Sequence, residues 1–220
     1  MLFDMKPVLF NPDAAGNNEV YYTVFRNLAI LEAKIRYDVT VIPQKKIAGE
    51  TAKTFGHYHK DNYPELYEVL EGHAYFLVQK HSGDPAVITE AYVIEASARD
   101  KVVILPDMGH LSINAGETDL VLANWISLVE YDYETIKKYH GGCYYAIEKR
   151  GALEFEKNIN YKSVPEIKKL RPRDMPELNV NQDKRFPIWD LKSSPQKLEW
   201  LINPEKYKEF LTIDKLYNEV

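Results

Sequence analysis

The chain has 220 residues, 45% of them hydrophobic and 28% charged, with a net charge of −5. That is the balance of an ordinary globular protein, long enough for one large domain or a domain with an extension. An acidic chain without a concentrated basic face excludes nucleic acid as the expected partner, and no apolar run approaches membrane-spanning length, so no membrane association is expected. The opening MLFDMKPVLFNPDAAGNN puts an acidic residue and two prolines where a secretory leader needs a basic start and an unbroken apolar core. The single cysteine, Cys143, excludes an intrachain disulfide and fits a reducing compartment, so the expected location is the cytoplasm.

From Glu19 to about Tyr133, short segments rich in β-branched and aromatic residues are separated by turn residues, the pattern of an all-β sandwich or barrel. The expected strands are EVYYTVF (19 to 25), IRYDVTVIP (35 to 43), HAYFLVQ (73 to 79), KVVILP (101 to 106) and DLVLANWISLVEY (119 to 131). HSGDP and NAGETD supply turn chemistry between them. A short helical stretch is also compatible with Phe25 to Ala33. Beyond Gly151 the composition changes, so residues 1–151 are expected to form the β domain with N-terminal strands and residues 152–220 a C-terminal extension. VPEIKKLRPRDMPELN (164 to 179) mixes prolines and charges without a period and reads as an extended surface segment. Ser194 before Pro195 and Asn203 before Pro204 have the look of N-caps with first-turn prolines. Leu198, Leu201 and Ile202, then Tyr207, Phe210 and Leu211, fall at helical spacing. They predict two short helices docking apolar faces on the barrel or on a partner subunit.

The chemistry concentrates in TFGHYHKDNYPELYEVLEG (54 to 72). Residues two apart on a strand share a face, so His57 and His59 point together, as do Glu65 and Tyr67 after the KDNYP loop. A second segment, PDMGHLSIN (106 to 114), carries His110 after a turn containing Gly109. Three histidines and one glutamate converging inside a barrel suit a borderline divalent metal, with imidazole accommodating Zn, Fe, Ni or Cu and the carboxylate widening the choice to Mn. Four protein ligands leave a position open on a five- or six-coordinate ion. His73, His81 and His140 lie outside this pattern and read as structural.

At these residues the chain resembles the cupin superfamily and, more narrowly, the archaeal-type cupin glucose-6-phosphate isomerase family. The distinctive elements are TxGHxH at Thr54–His59, PExY at Pro64–Tyr67, PxxxHxxxN at Pro106–Asn114 and DYxTI at Asp132–Ile136. The resemblance spans roughly Val20 to Gly151. It implies a cupin barrel, a double-stranded β-helix of jelly-roll kind, here with short C-terminal helices and usually forming a homodimer. It implies metal ligands His57, His59, Glu65 and His110, holding one divalent ion (Fe, Mn, Zn or Ni) per subunit. It places sugar-phosphate contacts on Thr54, Gly56 and Thr40, and cavity tyrosines at Tyr21, Tyr67 and Tyr133. Two positions depart from the family pattern: Tyr131 stands where a histidine often precedes DYxTI, and Trp125 stands where a tyrosine is found six residues earlier. Both are expected on the strand face that includes Tyr133, where they would alter the far wall of the pocket. The segment after Gly151 exceeds the family minimum and has no assigned counterpart.

The implied activity is interconversion of glucose 6-phosphate and fructose 6-phosphate, a step of glycolysis and gluconeogenesis. Glu65 is the candidate base or ligand, and Tyr67 or Tyr133 the candidate proton shuttle between oxygens. A cupin dioxygenase using the same ligands, or a non-catalytic sugar-binding cupin, are the alternatives. TxGHxH and DYxTI favour the isomerase.

Overall fold

The computed structural model describes residues 1–220. Short helical turns up to residue 14 lead into β1 (Thr23–Leu31) and β2 (Ile35–Ile42), an antiparallel pair. The chain continues through β3 (Lys46–Ile47), β4 (Glu50–Thr51), β5 (Tyr58–His59), β6 (Glu65–Glu71), β7 (His73–His81) and β8 (Ile88–Ser97). Then come β9 (Lys101–Ile104), β10 (Gly109–Asn114), β11 (Leu120–Ser127) and β12 (Tyr131–Asp132). After the short helix Glu134–Lys138 follow the hairpin of β13 (Tyr144–Lys149) and β14 (Ala152–Lys157), then β15 (Lys168–Pro172) and, at the end, β16 (Tyr217–Glu219).

Two five-stranded sheets dominate, ordered β1-β2-β11-β6-β9 and β10-β7-β8-β15-β16. Their inner faces share one apolar core, with Tyr67 of β6 packed on Phe76 of β7 at 5.2 Å between ring centroids. The fold is all-β, a jelly roll of the cupin kind. Each expected segment from residue 35 to 131 contains a strand. The first begins later than expected, at Thr23, and runs on to Leu31, so Phe25 to Ala33 is not helical. β8 was not expected, because Glu and Ala are weak strand formers; it is held by pairing with β7 along its whole length.

The inner face of the first sheet carries the site, and its outer face is covered by the C-terminal segment. Trp125 donates its indole N–H to the Ile188 carbonyl at 2.7 Å, and the Ile188 N–H donates to buried Glu68 at 2.7 Å. Tyr37, Trp125 and Trp189 pack together on the same face. Leu198, Trp200 and Leu201 are buried in the same core. The expected terminal helices are 3-10 turns, Pro195–Leu201 and Pro204–Tyr207, and neither Ser194 nor Asn203 makes a side-chain cap bond. Runs this short between prolines cannot repay α-helix nucleation, and tertiary burial holds them instead. Within the stretch expected to lie extended on the surface, residues 168–172 form β15, parallel to β8 and antiparallel to β16. Gly151 sits in the β13–β14 hairpin with φ +81.

Gly109 shows how closely the site's supports are packed: a Cβ there would run into the ring of Tyr58, the residue between His57 and His59. The Tyr58 ring is pinned in turn by a 2.8 Å hydrogen bond from Gln79 to its hydroxyl. Gly109→Ala is therefore expected to lower unfolding free energy by about 1–3 kcal/mol, the cost of overpacking. Urea denaturation of the two proteins checks this, and equal midpoints would contradict it.

Candidate metal centre

Three backbone segments bring the four candidate ligands together. His57 and His110 face each other as a hydrogen-bonded antiparallel pair, with N–H to carbonyl distances of 3.1 and 3.0 Å. His59 lies two residues on and points to the same side, and Glu65 opens β6. Gly56 makes the approach possible: it adopts φ +85, and an added Cβ would lie 3.1 Å from the Leu111 Cβ and 3.2 Å from the His110 carbonyl. One potential ligand atom from each of His57, His59, Glu65 and His110 falls within 4.8 Å of the others.

The polar atoms at the centre lack ordinary partners. His57 Nε2, His59 Nε2 and Glu65 Oε2 are fully enclosed and make no hydrogen bond. Glu65 Oε2 nonetheless lies 3.3 Å from His59 Nε2 and 3.2 Å from His110 Nε2. His59 spends its Nδ1 on the Tyr63 carbonyl at 2.6 Å, which makes Nδ1 the protonated nitrogen and leaves Nε2 as a lone pair aimed at Glu65. Electron-rich atoms enclosed face to face are satisfied by a cation between them. The donor set, three imidazoles and a carboxylate, fits a divalent ion.

The electrostatics agree. Burial, followed by the neighbouring His110 and His59, pushes His57 below the usual histidine range, and burial does the same to His110. Both are thereby kept neutral, the form that ligates. Burial alone would raise Glu65, but the His110 ring and then the His59 ring, 3.2 and 3.3 Å from Oε2, outweigh it and hold the carboxyl well below its usual range. Burial, then the charge of Glu65, raises Tyr67 well above an ordinary phenol. Tyr67 therefore stays protonated, with its oxygen 3.4 Å from His110 Nε2.

His57, Glu65 and His110 open onto a cavity of about 40 Å³. Thr40, Thr54, Gly56, Tyr67 and Tyr133 all line it. Thr54 accepts the Ser112 N–H at 3.0 Å, which leaves its own hydroxyl proton free to donate. Tyr21 does not line it. Its ring is wholly buried near Glu50 and Lys53, and burial raises its hydroxyl. Tyr22, just before β1, takes the cavity position, and alternation along β1 sends Val24 and Arg26 to the same side.

Trp125 is likewise absent from the pocket wall. β11 ends at Ser127, and Tyr131 belongs to a separate strand pairing with His59, so the parity linking residues 125, 131 and 133 is broken. The wall position falls to Asn124, in register with Tyr67 on one side and Asp38 on the other. Tyr131 does reach the site, 4.1 Å from the His57 ring. Sequence reasoning missed Arg26, Asp38 and Asn124. Only strand alternation could have found them, once the strand ends were known. A larger recess of about 400 Å³, near Lys101, Ile188 and Lys197, holds no comparable ligand cluster.

The family model described as Glucose-6-phosphate isomerase (GPI) matches residues 3–163, extending beyond both ends of the sequence resemblance. No curated protein matches the chain. Among solved structures, Peruvianin-I, a cysteine peptidase from Thevetia peruviana latex, is 14% identical over 50% of this chain and 63% of its own, with a TM-score of 0.39. The Lactobacillus farciminis oxalate decarboxylase formate complex is 17% identical over 53% and 31%, at 0.40. The Schizosaccharomyces pombe Cnp3 cupin domain is 13% identical over 58% and 77%, at 0.37. The chain spans 63% and 53% of the first two structures matched, less than two thirds of either. Likenesses at this level assign neither substrate nor cofactor. No helix is long and apolar enough to cross a membrane.

The ligand set predicts about one divalent ion bound per wild-type chain. His59→Ala and Glu65→Gln are expected to lose most of it while keeping the β-rich circular dichroism spectrum. Elemental analysis after gel filtration measures the ratio, and full occupancy in both variants would rule out this set.

Proposed function

The chain belongs to the glucose-6-phosphate isomerase family, and on that footing we propose that it is a metal-dependent aldose-ketose isomerase interconverting glucose 6-phosphate and fructose 6-phosphate. The observation that carries the reading is the enclosed cluster of His57, His59, Glu65 and His110 within the matched residues. A divalent cation held by these side chains, Fe, Mn, Zn or Ni, supplies Lewis-acid polarisation of a substrate carbonyl.

The chain's own residues do the rest. Tyr67, kept protonated, donates to a sugar oxygen, and Tyr133, also raised chiefly by burial, lines the sugar side. Thr40, Thr54 and the backbone at Gly56 offer neutral donors to the phosphate. The cavity carboxylates are already engaged: Glu65 among the histidines, and Asp38 by Arg36, Arg26 and the Asn27 N–H. A carboxylate committed to a cation among three imidazoles is a poor base, so the reading gives Glu65 to the ligand set. The hydrogen then passes between C1 and C2 of the substrate as hydride, without exchange, while the hydroxyl proton passes between O1 and O2 by way of the Tyr67 or Tyr133 hydroxyl.

We also propose a homodimer. β1 is the edge strand of its sheet and carries half-exposed Phe25, Leu28 and Ile30, an apolar edge that a second copy would cover.

Three outcomes are expected. Fructose 6-phosphate isomerisation should vanish on chelation and return with at least one of Mn, Fe, Zn or Ni. No activity with any of them would sink the substrate assignment, and activity surviving thorough chelation would sink the metal. In deuterated water only a minor fraction of product should carry solvent deuterium, whereas full incorporation would make Glu65 the base. Sedimentation equilibrium should give about twice the chain mass of 25.6 kDa, and Ile30→Lys should shift it towards the monomer. A wild-type monomer at micromolar concentration would remove the dimer.

A further inference from the structure

The neutral donors at Thr40, Thr54 and Gly56 leave the charge of a phosphate unanswered, and the cavity contains a cation that the family motif does not require. β1 and β2 pair regularly up to Phe25 opposite Val39 and resume at Ala29 opposite Tyr37, leaving residues 26 to 28 bulged across from Asp38. Asn27 at the bulge has φ 60, and its N–H is pinned to Asp38 Oδ1 at 2.8 Å. Arg26, the first residue of the bulge, lines the cavity.

Asp38 is almost fully buried and has one charge to offer two guanidiniums. Its Oδ2 accepts Arg36 Nε at 2.9 Å and Arg26 Nη1 at 3.3 Å. Arg36 is held a second time by the Tyr131 hydroxyl, and its side chain is only 10% exposed. Arg26 has the longer contact with Asp38 and a side chain 42% exposed. It can leave without stranding Asp38, which keeps Arg36 and the Asn27 N–H. It also faces an open basin of about 400 Å³ beside the cavity.

The charges can be added. The two arginines against Asp38 leave one positive unit, and a divalent ion against Glu65 leaves another. Two positive units match a phosphate monoester, which carries about −1.5 to −2 at neutral pH.

We propose that Arg26 is a specificity-determining residue, exchanging Asp38 for the phosphate of a phosphorylated sugar and so selecting it over the unphosphorylated one. The sugar part of this ligand rests on the isomerase reading; the anion part does not.

The test is calorimetric titration of Mn-loaded wild type, Arg26→Gln and Arg26→Lys with 6-phosphogluconate and with gluconate, after equal metal content is established. Arg26→Gln should weaken 6-phosphogluconate about 10- to 100-fold, the worth of a charge-assisted contact. Gluconate should stay within about 2-fold, and Arg26→Lys should recover part of the loss. The KM for fructose 6-phosphate should rise in parallel, with kcat little changed. Wild-type affinity of Arg26→Gln for both ligands would overturn the proposal, as would an equal loss for both. If the phosphate preference depends on Arg26 but no isomerisation occurs, the isomerase reading fails and the anion site stands. If wild type isomerises and Arg26→Gln keeps its preference, the Arg26 proposal alone fails.

Discussion

Everything at this site depends on holding electron-rich atoms face to face where water cannot reach them. His57 Nε2, His59 Nε2 and Glu65 Oε2 are enclosed without hydrogen bonds, and each such group costs about 1–3 kcal/mol when left unsatisfied. A flexible loop would relieve that cost by turning the side chains outward. This chain prevents it with backbone pairing: His57 and His110 bridge two segments, and β6 fixes Glu65 between β11 and β9. The same rigidity prepares the site for a cation, because the ligands need little reorganisation to receive one.

Rigidity on the inner face requires cover on the outer one. Strand alternation puts Tyr67, Asn124 and Asp38 in one row facing the cavity, and Leu66, Trp125 and Tyr37 in the adjacent row facing away. Two of the outward three are large aromatics and would be an exposed patch on a bare barrel. The segment around Ile188 and Trp189 closes over them, tied by hydrogen bonds from Trp125 and to Glu68. The C-terminal residues thus take part in the architecture of the site without touching its cavity: they bury the back of the sheet whose front carries the ligands.

The sequence made the ligands legible because HxH, Glu65 and His110 need only local strand geometry and a turn, and the motif spacing encodes both. It also made most of the strands legible. What it hid was parity. Tyr21 and Tyr22 differ by one residue, and only the true start of β1 says which faces inward. Trp125 and Tyr131 look like one face of one strand until the break after Ser127 separates them. A one-residue slip exchanges the two faces of a strand, so strand ends, the least readable feature of a sequence, decide the pocket walls. The bulge at residues 26 to 28 is harder still. It arises from pairing against Asp38, a contact between separate strands that no local pattern announces.

Tyr131 shows how such distant contacts alter a family site. A histidine at this position would place a titratable base beside the ligands. The tyrosine, its hydroxyl bonded to Arg36 and its acidity suppressed chiefly by burial, makes that wall neutral near physiological pH. Positive charge is moved outward onto Arg26 and Arg36, whose guanidiniums lie 5.3 Å from the Tyr131 ring centroid. A cation there repels a bound metal ion less than an imidazolium against His57 would, because the repulsion falls with distance and the guanidiniums are partly neutralised by Asp38. On the proposed reading the wall would keep an attractive potential for an anionic ligand without setting it against a bound cation. Neutral aromatic contact near the ligands and charge beyond it are two consequences of a single arrangement of Tyr131, Arg36, Asp38 and Arg26.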